Sequence, residues 1–141
     1  MAIINIRRAQ PADAEAVLAL AKPFATSFVV HEQAFHHAFS ALLASPQAHL
    51  AVAETAQQVV GYALGFEHYT FFANGRGAWV EEIMVSEALR RQGIGQLLMQ
   101  EFEAWAVARG CTLVALATRR AAAFYQALGY EESATYFRKL L

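Results

Sequence analysis

Residues 79–108 carry three consecutive patterns that predict a strand, a short turn and a helix. Residues 79–85 are mostly apolar and typical of a strand, and Arg90-Arg91-Gln92-Gly93-Ile94-Gly95 is typical of a turn. Residues 94–108 repeat apolar side chains at helical spacing. The first N–H groups of a helix have no partner inside it and its dipole is positive there, so such a unit can seat an anion. The two glycines let the backbone approach a ligand closely.

Other glycine motifs fit this turn less well. A dinucleotide-binding turn needs a third glycine, where this chain has Leu98, and an acidic residue after the next strand, where it has Thr118. A Walker loop needs Gly-Lys-Ser/Thr, which the sequence lacks. A plain strand-to-helix turn with glycines for packing stays open. The adjacent Arg90 and Arg91 favour phosphate, because cationic side chains complement it.

Composition limits the kinds of partner that we expect. A chain of 141 residues suits one domain, residues 1–141, and its 57% hydrophobic content exceeds that of an average globular chain. The surplus indicates an apolar groove or a subunit interface, and with a β-rich tail at 133–141 it favours a homodimer. A net charge of -1 offers no basic field for nucleic acid.

The same sequence favours a cytoplasmic protein without a membrane partner. Cys111 is the single cysteine, so no intramolecular disulfide can form and a reducing compartment fits. We expect no secretory signal and no spanning helix. The five histidines lack the spacing of a metal site, so no metal is expected.

The patterns along the chain predict the order β-α-α-β-β-β-α-β-α-β, an α/β (α+β) fold. The predicted strands are 2–7, 49–53, 59–66, 79–85 and 112–117, followed by the β-rich tail. The predicted helices are 11–23, 34–44, 94–108 and 120–128.

Two segments together resemble the GNAT N-acetyltransferase superfamily. Arg90-x-x-Gly93-x-Gly95 after an apolar strand is similar to its Arg/Gln-x-x-Gly-x-Gly/Ala signature. Residues 121–130, Ala-Ala-Ala-Phe-Tyr-Gln-Ala-Leu-Gly-Tyr, resemble its Ala-x-x-Phe-Tyr-x-x-x-Gly-Phe/Tyr helix. The resemblance is close over 79–141, and the first half agrees in element order. It implies the acyl-CoA N-acyltransferase fold, with a mixed sheet splayed between its fourth and fifth strands and flanked by about four helices.

The resemblance also implies acetyl-CoA as co-substrate. The diphosphate would lie on the turn, and the pantetheine arm would pair with the preceding strand, whose edge has N–H and C=O groups to match the arm's amides. The residues implied are Ile83, Met84 and Val85 on the strand, and Arg90, Arg91, Gln92, Gly93, Ile94, Gly95 and Gln96 at the turn.

Three residues are candidates for catalysis. The resemblance places Tyr125 near the thioester sulfur as a proton donor, although a core role beside Phe124 stays open. Glu81 and Glu82 are neighbours on one strand, so we expect their side chains on opposite faces. Related polyamine acetyltransferases favour Glu81 as the base, with Glu82 second and a structural role for both a third reading. Thr118 stands where many members have Asn, so a cofactor contact there is in doubt.

These features predict an acyl-CoA-dependent N-acetyltransferase. It would move an acetyl group to a primary amine of a small molecule or protein by direct attack in a ternary complex. The alternatives are a non-catalytic acyl-CoA-binding or regulatory module and, more distantly, a nucleotide-binding protein unrelated to CoA. The sequence leaves open the acceptor, the acyl chain and the oligomeric state.

Overall fold

A single mixed sheet organises the chain. The computed structural model describes residues 3–24 and 28–141, and its five strands lie in the order β1-β2-β3-β4-β5. The strands are β1 (Asn5–Arg8), β2 (Ala48–Thr55), β3 (Gln58–Thr70), β4 (Gly75–Val85) and β5 (Cys111–Leu116). The first four pair antiparallel, and β5 pairs parallel to β4. This is the predicted mixed sheet.

Four α-helices cover the sheet, as predicted. They are α1 (Ala14–Phe24), α2 (Glu32–Ala44), α3 (Ile94–Ala108) and α4 (Ala122–Ala127). Short 3-10 helices at Pro11–Asp13 and Glu87–Leu89 precede α1 and the turn before α3. The predicted first strand began at Ala2, which lies outside the described residues.

The core has two layers, one on each face of the sheet. On one face, α1 and α2 pack on Leu50, Val52, Tyr62 and Leu64. On the other, Leu98, Met99 and Phe102 of α3 are completely buried. Gly65 of β3 allows the close approach of α3, because a Cβ there would lie 2.2 Å from a ring carbon of Phe102. Helices on both faces are typical of a sheet whose central strands are largely apolar.

Two irregularities open the sheet beside β4. Leu64 pairs with Glu82 and Gly65 with Val80, so Glu81 is an extra residue in β4, which makes a β-bulge. The pairing of β4 with β5 runs only as far as Val80 and Leu116. Residues 81–85 therefore have no strand partner on the β5 side within the described chain. The predicted splay between the two strands is confirmed.

The predicted β-rich tail is wrong. Residues 133–141 form no strand, and their side chains are exposed. Their β-branched and aromatic residues give a strand only where a neighbouring strand completes the hydrogen bonds. The tail does not pair with β5, and Tyr136 instead stacks on Trp79 of β4 with ring centroids 6.3 Å apart.

Candidate active site

The open edge of β4 is the first component of the site. Side chains of Ile83 and Val85 pack on the α3 side, and Met84 packs against the α1–α2 side. These contacts hold the strand firmly while its backbone edge toward β5 stays unpaired. The carbonyl of Val85 accepts a hydrogen bond from Arg90 Nε at 3.2 Å. The three predicted arm-binding residues thus lie on one exposed edge.

The start of α3 is the second component. Gly93 lies in the left-handed region with φ of 84°, which a glycine adopts without steric cost, and Arg91 has a φ of 66°. The first helical hydrogen bond runs from Leu97 N–H to Gly93 O at 3.1 Å. The N–H groups before it, at 91–96, donate to no backbone carbonyl in the described parts of the chain. Consecutive unpaired donors at a helix start form an anion seat.

The side chains around the anion seat are either buried in the core or exposed to solvent. Ile94 is buried and fixes the start of the helix in the core. Arg91, Gln92 and Gln96 are exposed, and the Arg90 guanidinium turns to the β4 edge, with Nη2 3.7 Å from Met84 Sδ. Gly95 faces the ring of Phe124, since a Cβ there would lie 3.2 Å from its Cζ. The main chain from Arg91 to Gln96 is therefore accessible, and α4 closes one side.

Tyr125 lies beside the point where β4 and β5 diverge. It is 7% exposed and packs in the cluster that contains Val80 and Phe102. The rings of Phe124 and Tyr130 contact it edge-on, with centroids 4.9 and 5.9 Å away. Burial raises the pKa of the Tyr125 phenol above its usual value, so the hydroxyl keeps its proton at neutral pH. Tyr125 is thus a core residue that carries a proton near the open edge.

The two candidate carboxylates have different surroundings. Glu82 accepts a hydrogen bond from the Tyr62 hydroxyl at 2.8 Å and lines a cavity between the sheet and helices α1 and α2. Glu81 is exposed and accepts a hydrogen bond from Trp79 Nε1 at 2.6 Å.

The expectation that these carboxylates point to opposite faces stays a prediction, because the bulge removes the regular alternation on which it rests. Val80 and Ile83 both pack on the α3 side although they are three residues apart. The regular alternation of the strand is therefore interrupted between them, and it cannot separate Glu81 from Glu82.

Tyr62 is a site residue that the sequence reasoning missed. It is 1% exposed, and burial together with the Glu82 carboxylate raises the pKa of its phenol. The phenol therefore keeps its proton and donates a hydrogen bond to Glu82, which fixes that side chain. The available signal was a lone tyrosine within the apolar stretch 59–64, because a buried phenol needs a hydrogen-bond partner.

The Glu82 cavity has a volume of about 310 Å³. One wall is the sheet, with Leu64, Tyr62 and Glu82, and the opposite wall is formed by α2, with Phe35 and Leu42. A pocket of apolar side chains with few convergent polar groups is typical of a small-molecule site. This cavity and the open edge are adjacent, because Glu82 belongs to both.

Thr118 has a local structural role. Its hydroxyl accepts a hydrogen bond from the Ala121 N–H at 3.1 Å, at the start of α4. Helix α4 begins at Ala122, two residues after the predicted start, and Arg119 and Arg120 are exposed.

No group of three or more His, Cys, Asp or Glu side chains in residues 3–24 and 28–141 is arranged to hold a metal ion. Among the helices of those same residues, none combines the length and apolarity needed to cross a membrane.

Comparisons with known proteins agree with this geometry. The chain is 32% identical over 146 residues to an aminoalkylphosphonate N-acetyltransferase of Salmonella typhimurium, covering 100% of this chain and 94% of that protein. A transcriptional regulator from Bacillus halodurans has the same fold, with a TM-score of 0.90, 24% identity and coverage of 99% and 100% of the two chains. An aminoglycoside N-acetyltransferase solved in complex with CoA superposes with a TM-score of 0.85 at 20% identity, covering 99% of this chain and 96% of that one.

The sequence model of the Acetyltransferase (GNAT) family matches residues 14–130. That span contains both the turn at 90–95 and the helix segment at 121–130, so the resemblance seen in the sequence is confirmed. The chain belongs to the GNAT family of acetyltransferases and is an acetyl-CoA-dependent N-acetyltransferase.

Proposed function

We propose that this acetyltransferase transfers the acetyl group to a primary amine of a small molecule, by direct attack of the amine within a ternary complex. The observation that carries the proposal is free backbone in two neighbouring segments. Residues 81–85 of β4 have no strand partner toward β5, and the N–H groups of 91–96 donate to no backbone carbonyl, in the described parts of the chain. An extended molecule with amides at one end and a diphosphate at the other matches these two segments.

Coenzyme A has this chemistry, and we assign its parts to residues accordingly. The N–H groups from Arg91 to Gln96 would hold the diphosphate, and the exposed Arg91 would add positive charge. The backbone of Ile83, Met84 and Val85 would pair with the arm, and the hydrogen bond from Arg90 to Val85 would be exchanged for that pairing. Bound there, the coenzyme supplies an acetyl thioester.

Direct attack requires three proton transfers. The acceptor ammonium loses its first proton to a carboxylate and attacks the acetyl carbon as a neutral amine. The new C–N bond forms as the C–S bond breaks, and the nitrogen then loses its second proton to solvent. Tyr125 donates a proton to the departing thiolate, and solvent restores it. We assign the base to Glu82, whose orientation is fixed by Tyr62, and keep Glu81 as the competing candidate.

An acetylated enzyme is not required in this scheme. Cys111 is the one cysteine of the chain, and it pairs with Arg76 at the far end of β4 from residues 81–85. Burial and the nearby Glu67 carboxylate raise the pKa of its thiol, which disfavours the reactive thiolate.

Two matched substitutions test the base. Glu82→Gln and Glu81→Gln each remove one negative charge with little change in shape. We expect Glu82→Gln to lower kcat/KM for the amine about 100-fold, the usual scale of a lost general base, with CoA affinity unchanged. Thiol release from acetyl-CoA measures this. A larger effect of Glu81→Gln would move the base to Glu81, and no effect of either would remove the carboxylate from the mechanism.

We also propose a cytoplasmic homodimer. The outer edge of β5 is unpaired by any described strand, and the tail carries exposed Tyr136, Phe137 and Leu140. A strand edge without a partner, next to a β-prone segment without a partner, allows two copies of the chain to exchange that segment. The lone thiol fits a reducing compartment.

A further inference from the structure

The cavity beside Glu82 has a lining that selects one kind of amine. It lies between α1, α2 and the sheet, and it shares Glu82 with the open edge where the thioester would lie. Besides Glu82, the described lining residues include two polar side chains, Tyr62 and His31. The Tyr62 hydroxyl already donates its hydrogen bond to Glu82. No Lys or Arg is among those lining residues.

The remaining lining of the cavity is apolar on every side. Val17 belongs to α1, Phe35 and Ala38 to α2, and Leu64 to the sheet. Phe28 also lines the cavity and is 58% exposed, so it leaves apolar surface uncovered at the mouth. A ligand with an apolar body would remove that surface from water.

Charge and volume define the ligand further. A single carboxylate in apolar surroundings is compensated by a single cation, which an ammonium group supplies. The volume of about 310 Å³ is roughly twice that of an engineered apolar cavity of about 150 Å³ that accepts benzene. The space therefore suits one ring with a short amine-bearing chain.

We propose that the acceptor is a primary amine on an aromatic or bulky aliphatic body, such as an arylalkylamine. The inference rests on the proposed acetyl transfer and names its substrate class. The ammonium lies against Glu82 and the body fills the cavity toward Phe35 and Ala38. After transfer the product is a neutral amide, so its attraction to Glu82 is lost and release follows.

This acceptor differs from that of the aminoalkylphosphonate N-acetyltransferase, which is 32% identical to the chain. A phosphonate carries up to two negative charges and needs cationic donors, preferably arginine. Within the described cavity lining, His31 is the one group that could become cationic, and Glu82 would repel the anion. The cavity therefore disfavours that substrate although the fold is shared.

Binding to the CoA complex tests the proposal without requiring turnover. The protein saturated with CoA is titrated by calorimetry with 2-phenylethylamine, 2-phenylethanol and 2-aminoethylphosphonate. We expect 2-phenylethylamine to bind at least about tenfold more tightly than either of the others, because only it has both the cation and the apolar body. Absence of 2-phenylethylamine binding, or tighter binding of the phosphonate, would overturn the proposal.

Substitutions then locate the binding site. Ala38→Leu fills the cavity from α2, whereas Ala41→Leu adds the same atoms to the same helix at an exposed position that does not line it. We expect Ala38→Leu to weaken 2-phenylethylamine binding about tenfold and Ala41→Leu to leave it unchanged. Equal affinities in the two variants would place the amine elsewhere. The ligand series on the unaltered protein is decisive if a variant fails to fold.

An error in the proposed acetyl transfer and an error in the proposed acceptor class would give different experimental results. If no amine in a wider panel releases thiol from acetyl-CoA while 2-phenylethylamine still binds, the proposed transfer is wrong and the cavity assignment stands. If 2-aminoethylphosphonate or ethanolamine is turned over and 2-phenylethylamine neither binds nor reacts, the transfer stands and the acceptor class is wrong.

Discussion

Tyr125 shows how one residue combines packing with chemistry. Its ring fills the cluster of Val80, Met99 and Phe102, and its phenol keeps a proton because burial raises its pKa. The sequence left open whether Tyr125 is a proton donor or a core residue, and the two roles are compatible at this position. Packing fixes the ring, and a fixed ring can hold a proton donor in place.

Removal of the Tyr125 hydroxyl separates these two contributions. Tyr125→Phe keeps the ring, so we expect CoA affinity to stay constant while kcat falls about 100-fold. The control is Tyr130→Phe in the same cluster, which loses a 2.6 Å hydrogen bond to Glu103 and should reduce stability rather than kcat. Steady-state thiol release and calorimetry measure the two effects. Unchanged turnover of Tyr125→Phe with a good acceptor would contradict the donor role.

The ion pair between Arg7 and Asp13 makes the stability of the fold depend on pH in the acid range. Arg7 holds both oxygens of Asp13 at 2.8 and 2.9 Å and lowers the pKa of that carboxyl below its ordinary value of 3.8. The stabilisation is therefore present above about pH 4 and is lost as the pH falls further. Asp13→Asn should lower the free energy of unfolding by about 2 kcal/mol at pH 7.

Denaturant unfolding across pH measures this difference. The gap between Asp13→Asn and the unaltered protein should shrink below about pH 4, where Asp13 itself takes up a proton. The exposed Glu15→Gln on α1 is the control, with an expected effect within about 0.5 kcal/mol. A gap that stays constant from pH 7 to pH 3 would show that the ion pair does not stabilise the fold.

At the scale of elements, the strand–turn–helix unit around α3 is the best predicted part of the molecule. The turn and the helix lie where the sequence patterns placed them, because the glycines and the helical period are local signals, and the strand ends at Val85 as predicted but begins at Gly75 instead of Trp79. The bulge at Glu81 was not predictable, since it depends on the register against β3. For the same reason the sequence could not identify Tyr62 as the partner of Glu82.

The two ends of α3 offer a matched test of the anion seat. Gly93 and Gly110 have φ values of 84° and 82°, and a Cβ at either would meet open space. Alanine at either position should cost a similar 1–2 kcal/mol or so for the left-handed conformation. We expect only Gly93→Ala to weaken CoA binding, by about tenfold, because only it distorts the seat. Equal losses of affinity in calorimetry would mean that the turn does not hold the coenzyme.

At the scale of the whole molecule, the sequence predicted the second half of the fold more sharply than the first. The turn and the α4 segment carry family motifs, whereas α1, α2 and the cavity between them are built from apolar residues without a motif. The tail was wrong for a related reason: β propensity at 133–141 is local, but a strand needs a partner, and the described single chain does not provide one.

The tail also tests the proposed homodimer. Phe137 is 85% exposed in the tail, and Phe71, at the β3–β4 hairpin, is 102% exposed. We expect the unaltered chain to have a dimer mass in light scattering, Phe137→Asp to shift it to monomer, and Phe71→Asp to leave it a dimer. The reason is that a charge in an exchanged apolar strand is desolvated. A monomer mass for the unaltered chain would remove the homodimer.

The central claim is that coenzyme A lies along the β4 edge and on the N–H groups that begin α3. Amide hydrogen exchange with and without CoA tests it most directly, because the amides of 91–96 now have no backbone acceptor in the described chain. We predict slower exchange at 81–85 and 91–96 when CoA is added, with little change in β1 and β2. Unchanged exchange in both segments at saturating CoA, or protection confined to another part of the chain, would contradict the account.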